Sequence, residues 1–260
     1  MPEVKAPLPS SPPFVRQVQS ADGSRQSLGL TSSGQVYSWG PKYSLGQLGR
    51  TVTSKNPRSI PSLVKFASDA PIRVACIYAG GFADAGHSAV LDDQGQLWMA
   101  GCDRWQQLGF GSPSAGAAGY TWLQNGRIYH FEFVKNRFVV PLLQSYDPQA
   151  QIRDVALGGD HSVVLSSNKR DVFTFGKGGE GQLGLSQKLF LSAPARSQRL
   201  SSSRDEIAAV CAIENCSLSL DSNGKPLKTS GKCRQTEQFL KALRGCQQRA
   251  ADSGLLAGNS

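Results

Sequence analysis

At 260 residues the chain has length for one large domain or two small ones, with enough material for a buried core. Hydrophobic residues make up 39%, charged residues 18%, and glycine (28) with proline (14) about one residue in six, a profile of many short strands and tight turns that argues against long helices and against a disordered chain. The formal net charge is +9, and no apolar run approaches the ~20 residues that cross a bilayer, so no membrane partner is expected.

In chain order, residues 1–14 come first. Their five prolines within Met1–Pro13 (Pro2, Pro7, Pro9, Pro12, Pro13) and the lack of an apolar core fit a flexible or polyproline-type leader rather than a secretory signal or transit peptide. From residue 15 onward one unit recurs. Gln26 to Gly40 aligns without gaps on His87 to Gly101; His161 to Gly176 follows with one extra turn residue, and Cys216 to Gly231 is a weaker fourth copy. The serines at the second position, Ser27, Ser88, Ser162 and Ser217, are 61, 74 and 55 residues apart. Each copy reads as a β-hairpin. An alternating strand (Leu28, Leu30; Ala89, Leu91; Val163, Leu165; Leu218, Leu220) meets a turn built on Ser-Gly, Gln-Gly, Asn-Lys or Asn-Gly, and a second strand leaves it. The closing Gly40, Gly101, Gly176 and Gly231 mark tight bends. After three of the hairpins follows a Gln-Leu-Gly core beginning at Gln47, Gln107 and Gln182; the fourth copy lacks it.

A His-Ser-x-x-Leu strand, a glycine turn, a Trp-Gly end and Gly-Gln-Leu-Gly together resemble the repeat of the regulator of chromosome condensation family. The resemblance covers residues 15–231, with further matching stretches at Ile152 to His161 and, more loosely, Ile72 to His87. It implies an all-β fold, a β-propeller or open propeller arc of about four blades. Family propellers usually close with seven blades, so four repeats make either a small closed ring or an open arc. An arc leaves strand edges that a partner subunit would cover.

Residues 120–143 supply the extra length between Ser88 and Ser162 and are expected to hold a hairpin insertion. Apolar residues alternate on either side of Lys135-Asn136. The plain reading is a hairpin belonging to a blade; the sharper one is a protruding element that binds a partner through Arg127, Tyr129, Phe131, Lys135 and Arg137. Residues 232–260 form a basic tail. Between 225 and 250 seven basic side chains stand against Glu237 alone, and Phe239, Leu240, Leu243, Cys246 and Ala250 recur at helical spacing. An amphipathic helix from Thr236 to Ala250 is expected, either capping the last blade or presenting Lys232, Arg234, Lys241, Arg244 and Arg249 to RNA or an acidic protein surface.

His87 and His161 share a repeat position with Gln26 and Cys216, which favours holding a turn together over proton transfer. No phosphate loop, His-Glu-x-x-His or Ser-His-Asp pattern emerges, so no cofactor or metal is expected and the chain reads as a non-enzyme. The six cysteines include no Cys-x-x-Cys pair and read as reduced thiols of an intracellular protein, cytoplasmic or mitochondrial. The expected function is a non-catalytic scaffold among other protein subunits, within a ribonucleoprotein, an organellar ribosome or a cytoskeletal assembly. The alternative implied by the resemblance is guanine-nucleotide exchange on a small GTPase.

Overall fold

The computed structural model describes residues 15–21, 25–41, 46–81, 86–109, 120–124, 127–131, 151–186, 190–234 and 237–257. Strands β1 (Val15–Ala21), β2 (Gln26–Thr31), β3 (Val36–Trp39) and β4 (Ser62–Leu63) form one sheet; β5 (Val74–Gly80), β6 (His87–Asp92) and β7 (Leu97–Gly101) form a second. Strands β10 (Ile152–Leu157), β11 (His161–Ser166), β12 (Val172–Lys177) and β13 (Phe190–Arg196) form the third, and β14 (Ala209–Ile213), β15 (Cys216–Leu220) and β16 (Pro226–Gly231) the fourth. Within each sheet, neighbours in sequence are antiparallel neighbours in space. The first strands β1, β5, β10 and β14 pack on one another in series, which puts them nearest a common axis. No comparable packing joins the fourth sheet to the first among the described residues. The fold is an open propeller arc of four blades.

Alternation along the strands explains why the blades stack. Leu28 and Leu30 point from the first blade into a core shared with Val74, Ile77 and Val90 of the second. Ala89 and Leu91 of the second meet Ile152, Val155 and Val164 of the third, and Val163 and Leu165 of the third meet Ile207 and Val210 of the fourth. Each blade is therefore apolar on both faces, and the cores lie between sheets. Burying one such branched aliphatic stabilises the stack by ~1.5–3 kcal/mol.

A backbone link recurs at each seam. The third turn residue's carbonyl accepts from the first N–H of the next blade: Gly34 from Val74 at 2.9 Å, Gly95 from Ile152 at 3.2 Å and Lys169 from Ile207 at 2.7 Å. That turn residue is left-handed in every repeat, with φ of 83°, 77° and 74° at Gly34, Gly95 and Gly224, and 58° at Lys169.

The helix α1 (Glu237–Ala257) runs seven residues past the expected Ala250. It packs on β14, where Phe239, Leu243 and Cys246 cover Cys211, Leu218 and Leu220 on the face that would otherwise meet a fifth blade. Gln247 Nε2 donates to the Gly224 carbonyl at 3.1 Å, the bond a next blade's backbone makes at the other three turns.

The reading of six reduced thiols is overturned at the same end. Cys211 is disulfide-bonded to Cys246, and Cys216 to Cys233, with Cα separations of 5.8 and 4.7 Å. Spacing along the chain could not show this, because the helix folds back onto β14 from 35 residues away. Cys76 and Cys102 remain thiols, and burial pushes the Cys102 pKa up to about 11.

Within the insertion, strands β8 (Tyr120–Gln124) and β9 (Arg127–Phe131) pair with Gln124 opposite Arg127, so a hairpin reverses between those two residues, while Lys135-Asn136 lies outside the described residues. Among the described residues they form a two-stranded sheet of their own. The sequence between them reads Asn-Gly, a strong hairpin signal that the alternation farther on masked.

Candidate functional site

The repeat's polar residues converge on the seams between blades. Gln26 Nε2, from the first position of the first hairpin, donates to Ser88 Oγ of the second at 2.9 Å and to the His87 carbonyl at 2.6 Å. Ser88 Oγ in turn donates to the Gln47 carbonyl at 2.9 Å. At the last seam His161 Nε2 meets Ser217 Oγ at 2.8 Å, and Ser217 Oγ donates to the Gln182 carbonyl at 2.8 Å. The serine proton is committed to that carbonyl, so His161 Nε2 must carry its own hydrogen, as the Gln26 amide does. At the middle seam Ser162 Oγ donates to the Gln107 carbonyl at 2.7 Å, and His87 is wholly buried at the same repeat position.

His161 therefore reaches across the seam to Ser217 rather than only holding its own turn. Burial first, and then the charge of nearby His87, lowers the His161 pKa to about 3. Its Nδ1 has no hydrogen-bond partner among the described residues. An imidazolium would leave a buried proton unsatisfied there, so this histidine is a neutral donor and not a proton shuttle.

The Gln-Leu-Gly cores bury Gln47, Gln107 and Gln182 together with Leu48, Leu108 and Leu183. A Cβ at Gly101 or Gly176 would first meet its own blade, 2.6 Å from the carbonyl oxygen of Gly86 or Asp160, and one at Gly231 would first meet that of Asn215; they would also stand 3.2, 3.1 and 2.8 Å from the Cα of Gln47, Gln107 and Gln182 in the preceding blade. At Gly40 the three nearest atoms all belong to Arg25 and Gln26 of its own blade. In the fourth blade the first position is Cys216, whose sulfur is bonded to Cys233 instead of reaching towards another blade.

The basic residues occupy a different region. Lys232, Arg234, Lys241 and Arg244 are exposed, the first two beyond β16 and the others on α1. Lys232 forms an ion pair with Glu180, and that hydrogen bond and charge hold the Glu180 carboxyl below its usual range. Lys177 lies 5.1 Å from the centre of the Trp105 ring and 3.5 Å from Asp160. Arg249 lies on α1, and Arg127, Tyr129 and Phe131 lie on β9, but their side chains fall outside the described residues, as do Lys135 and Arg137 altogether. The structure thus brings Lys232 and Arg234 near Glu180.

Sequence reasoning missed Arg50, which is wholly buried and donates to Ser38 Oγ at 3.1 Å, Asn56 Oδ1 at 3.0 Å and the Ile60 carbonyl at 3.1 Å. It also missed Asp154, whose carboxylate accepts the Val210 N–H at 3.0 Å across the last seam. Neither recurs in the repeat, so alignment of the copies gives no signal for them.

Models of the Regulator of chromosome condensation (RCC1) repeat match residues 33–82 and 152–182. Protein RCC2 homolog of Danio rerio is 32% identical over 173 residues, 64% of this chain and 32% of that protein. RCC1 domain-containing protein RUG3, mitochondrial, of Arabidopsis thaliana is 31% identical over 161 residues, 60% of this chain and 29% of that protein. Among solved structures, Prp20p of Saccharomyces cerevisiae superposes with a TM-score of 0.57 at 21% identity, covering 90% of this chain and 48% of Prp20p. The chain spans about a third of the length of these curated relatives. Stacked antiparallel sheets with their polar residues in the seams define a β-propeller repeat protein. Within that class, residues 33–82 and 152–182 match the regulator of chromosome condensation repeat.

Proposed function

We propose that the chain is a non-catalytic protein-interaction scaffold and a subunit of a larger assembly. The observation that carries this reading is how the repeat's polar groups are engaged. Ser88, Ser162, Ser217, Gln26 and His161 hydrogen-bond across seams, which makes a rigid frame and leaves the frame's own polar residues no substrate to meet. Recognition then falls to surface loops and to the exposed basic end at Lys232, Arg234, Lys241 and Arg244. That end suits an acidic protein surface or RNA, as in a ribonucleoprotein, an organellar ribosome or a cytoskeletal assembly. Prp20p has binding properties towards Gsp1p and histones, which supports protein partners for the fold. RUG3 of Arabidopsis is mitochondrial, which supports an intracellular, organellar setting. Two disulfides favour a compartment more oxidising than the cytosol.

Gradient sedimentation of a native extract, with and without ribonuclease, tests the reading. Migration with other proteins is expected, and collapse on ribonuclease would assign the tether to RNA. Recovery as a free monomer in both gradients would reject the scaffold. A nucleotide-release assay against a panel of small GTPases addresses exchange activity; the scaffold reading expects no acceleration.

A further inference from the structure

The three seams define what a blade offers to the one before it. On that leading face the first strand opens with Val74 or Ile152, and in the fourth blade Ile207 stands two residues ahead of β14; they are 1%, 6% and 0% exposed. Further along stands Ile77, Val155 or Val210, each 0% exposed. The serine of the second strand, Ser88, Ser162 or Ser217, is likewise fully buried. In the first blade the same register places Val15, Val18 and Ser27: Val15 lies opposite Thr31 as Val74 lies opposite Asp92, and Val18 opposite Gly29 as Ile77 opposite Val90. Yet Val15 is 45% and Val18 55% exposed. Ser27 is only half-buried and hydrogen-bonds Ser20 Oγ of its own sheet at 2.9 Å. Trp39 is half-buried too, where the third blade carries the fully buried Phe175.

Among the described residues this is a seam face without its other half. We propose that the leading face of the first blade docks the trailing face of another regulator of chromosome condensation blade. The internal seams specify the partner's chemistry. It presents a Gln-Leu-Gly loop whose glutamine carbonyl accepts the Ser27 hydroxyl, and a His or Gln that donates to Ser27 Oγ. It also brings a left-handed turn carbonyl for the Val15 N–H and branched aliphatics to cover Val15 and Val18. A second copy of this chain does not supply that surface. Three of its trailing faces are covered by the next blade, and the fourth is covered by α1 and tied down by Cys211–Cys246.

The proposal rests on the scaffold reading for its setting, but its test uses purified protein. The full chain is preceded by a copy of its own residues 151–207 on a flexible linker with a protease site. Amide exchange over residues 15–21 is expected to slow roughly tenfold or more against the unfused chain. The released blade is expected to co-elute with the chain after cleavage. Val18→Asp should abolish both effects while leaving the melting temperature of the unfused chain unchanged. Unaltered exchange, or separation after cleavage, overturns the proposal. A fusion carrying residues 72–109 serves as the second probe if the first does not fold. In the unfused chain, residues 15–21 must exchange faster than 74–80 and 152–157; equal protection means the face is already covered and also overturns it. A chain that sediments in a complex but fails these tests rejects the docking site and leaves the scaffold reading standing.

Discussion

Lys169 occupies a turn position that glycine fills in the other three blades, at a φ of 58°. The left-handed backbone costs a non-glycine residue ~1 kcal/mol, so Lys169→Gly is expected to stabilise the protein by about that amount in urea unfolding. The exposed Lys169–Glu206 pair, at 3.2 Å, offsets little of the gain. His161 carries a second prediction. Its pKa in the fold, about 3, lies below the 6.5 of a free histidine, so the unfolded chain takes up the proton first. Stability from this group is complete above pH ~6.5 and falls as pH drops towards 3, by ~1.4 kcal/mol per pH unit. His161→Gln should keep the seam, because Gln26 makes the same bond to Ser88, and should remove one proton's worth of that slope. An unchanged slope between pH 7 and pH 5 in the variant would contradict the neutral-donor assignment. At this scale the sequence was informative about position and silent about purpose. Equivalence of Gln26, His87, His161 and Cys216 showed a structural site, but only coordinates show that the site reaches into the next sheet, since a seam has no local pattern.

Among the elements, α1 differs most from its sequence reading. Helical periodicity announced it, but neither its length nor its target could be read, because Cys211 and Cys246 are distant in sequence and meet only once the helix lies on β14. Peptide mapping without reductant should recover Cys211 linked to Cys246 and Cys216 linked to Cys233, with Cys76 and Cys102 as thiols. Replacing Cys211 and Cys246 by alanine is expected to cost ~2–4 kcal/mol and to speed exchange along 237–257 before the first three sheets are affected. The hairpin of β8 and β9 reverses at a short Asn-Gly signal between Gln124 and Arg127 that the longer alternation around Lys135-Asn136 drew attention from.

For the molecule as a whole, the order of the blades and the strands within them were legible because one unit repeats. The seams were not, because they join residues 35 to 62 positions apart. Each blade contacts its neighbours in series, so stability should approximate a sum over seams. Ser88→Ala and Ser162→Ala are each expected to cost ~1 kcal/mol or somewhat more, since each leaves a buried carbonyl without its donor. The double variant should be additive within ~0.5 kcal/mol by chemical denaturation, because the two seams share no partner. Strong coupling between them would mean that the four blades behave as one body.

The cap on the fourth blade also sets how many molecules can join. Head-to-tail contacts that do not close into a ring ordinarily extend into filaments. Here the terminal sheet has Gln247 and two covalent crosslinks in place of a neighbour, so copies of the chain have no socket to offer one another. A blade capped in this way ends a row of repeats rather than lengthening it.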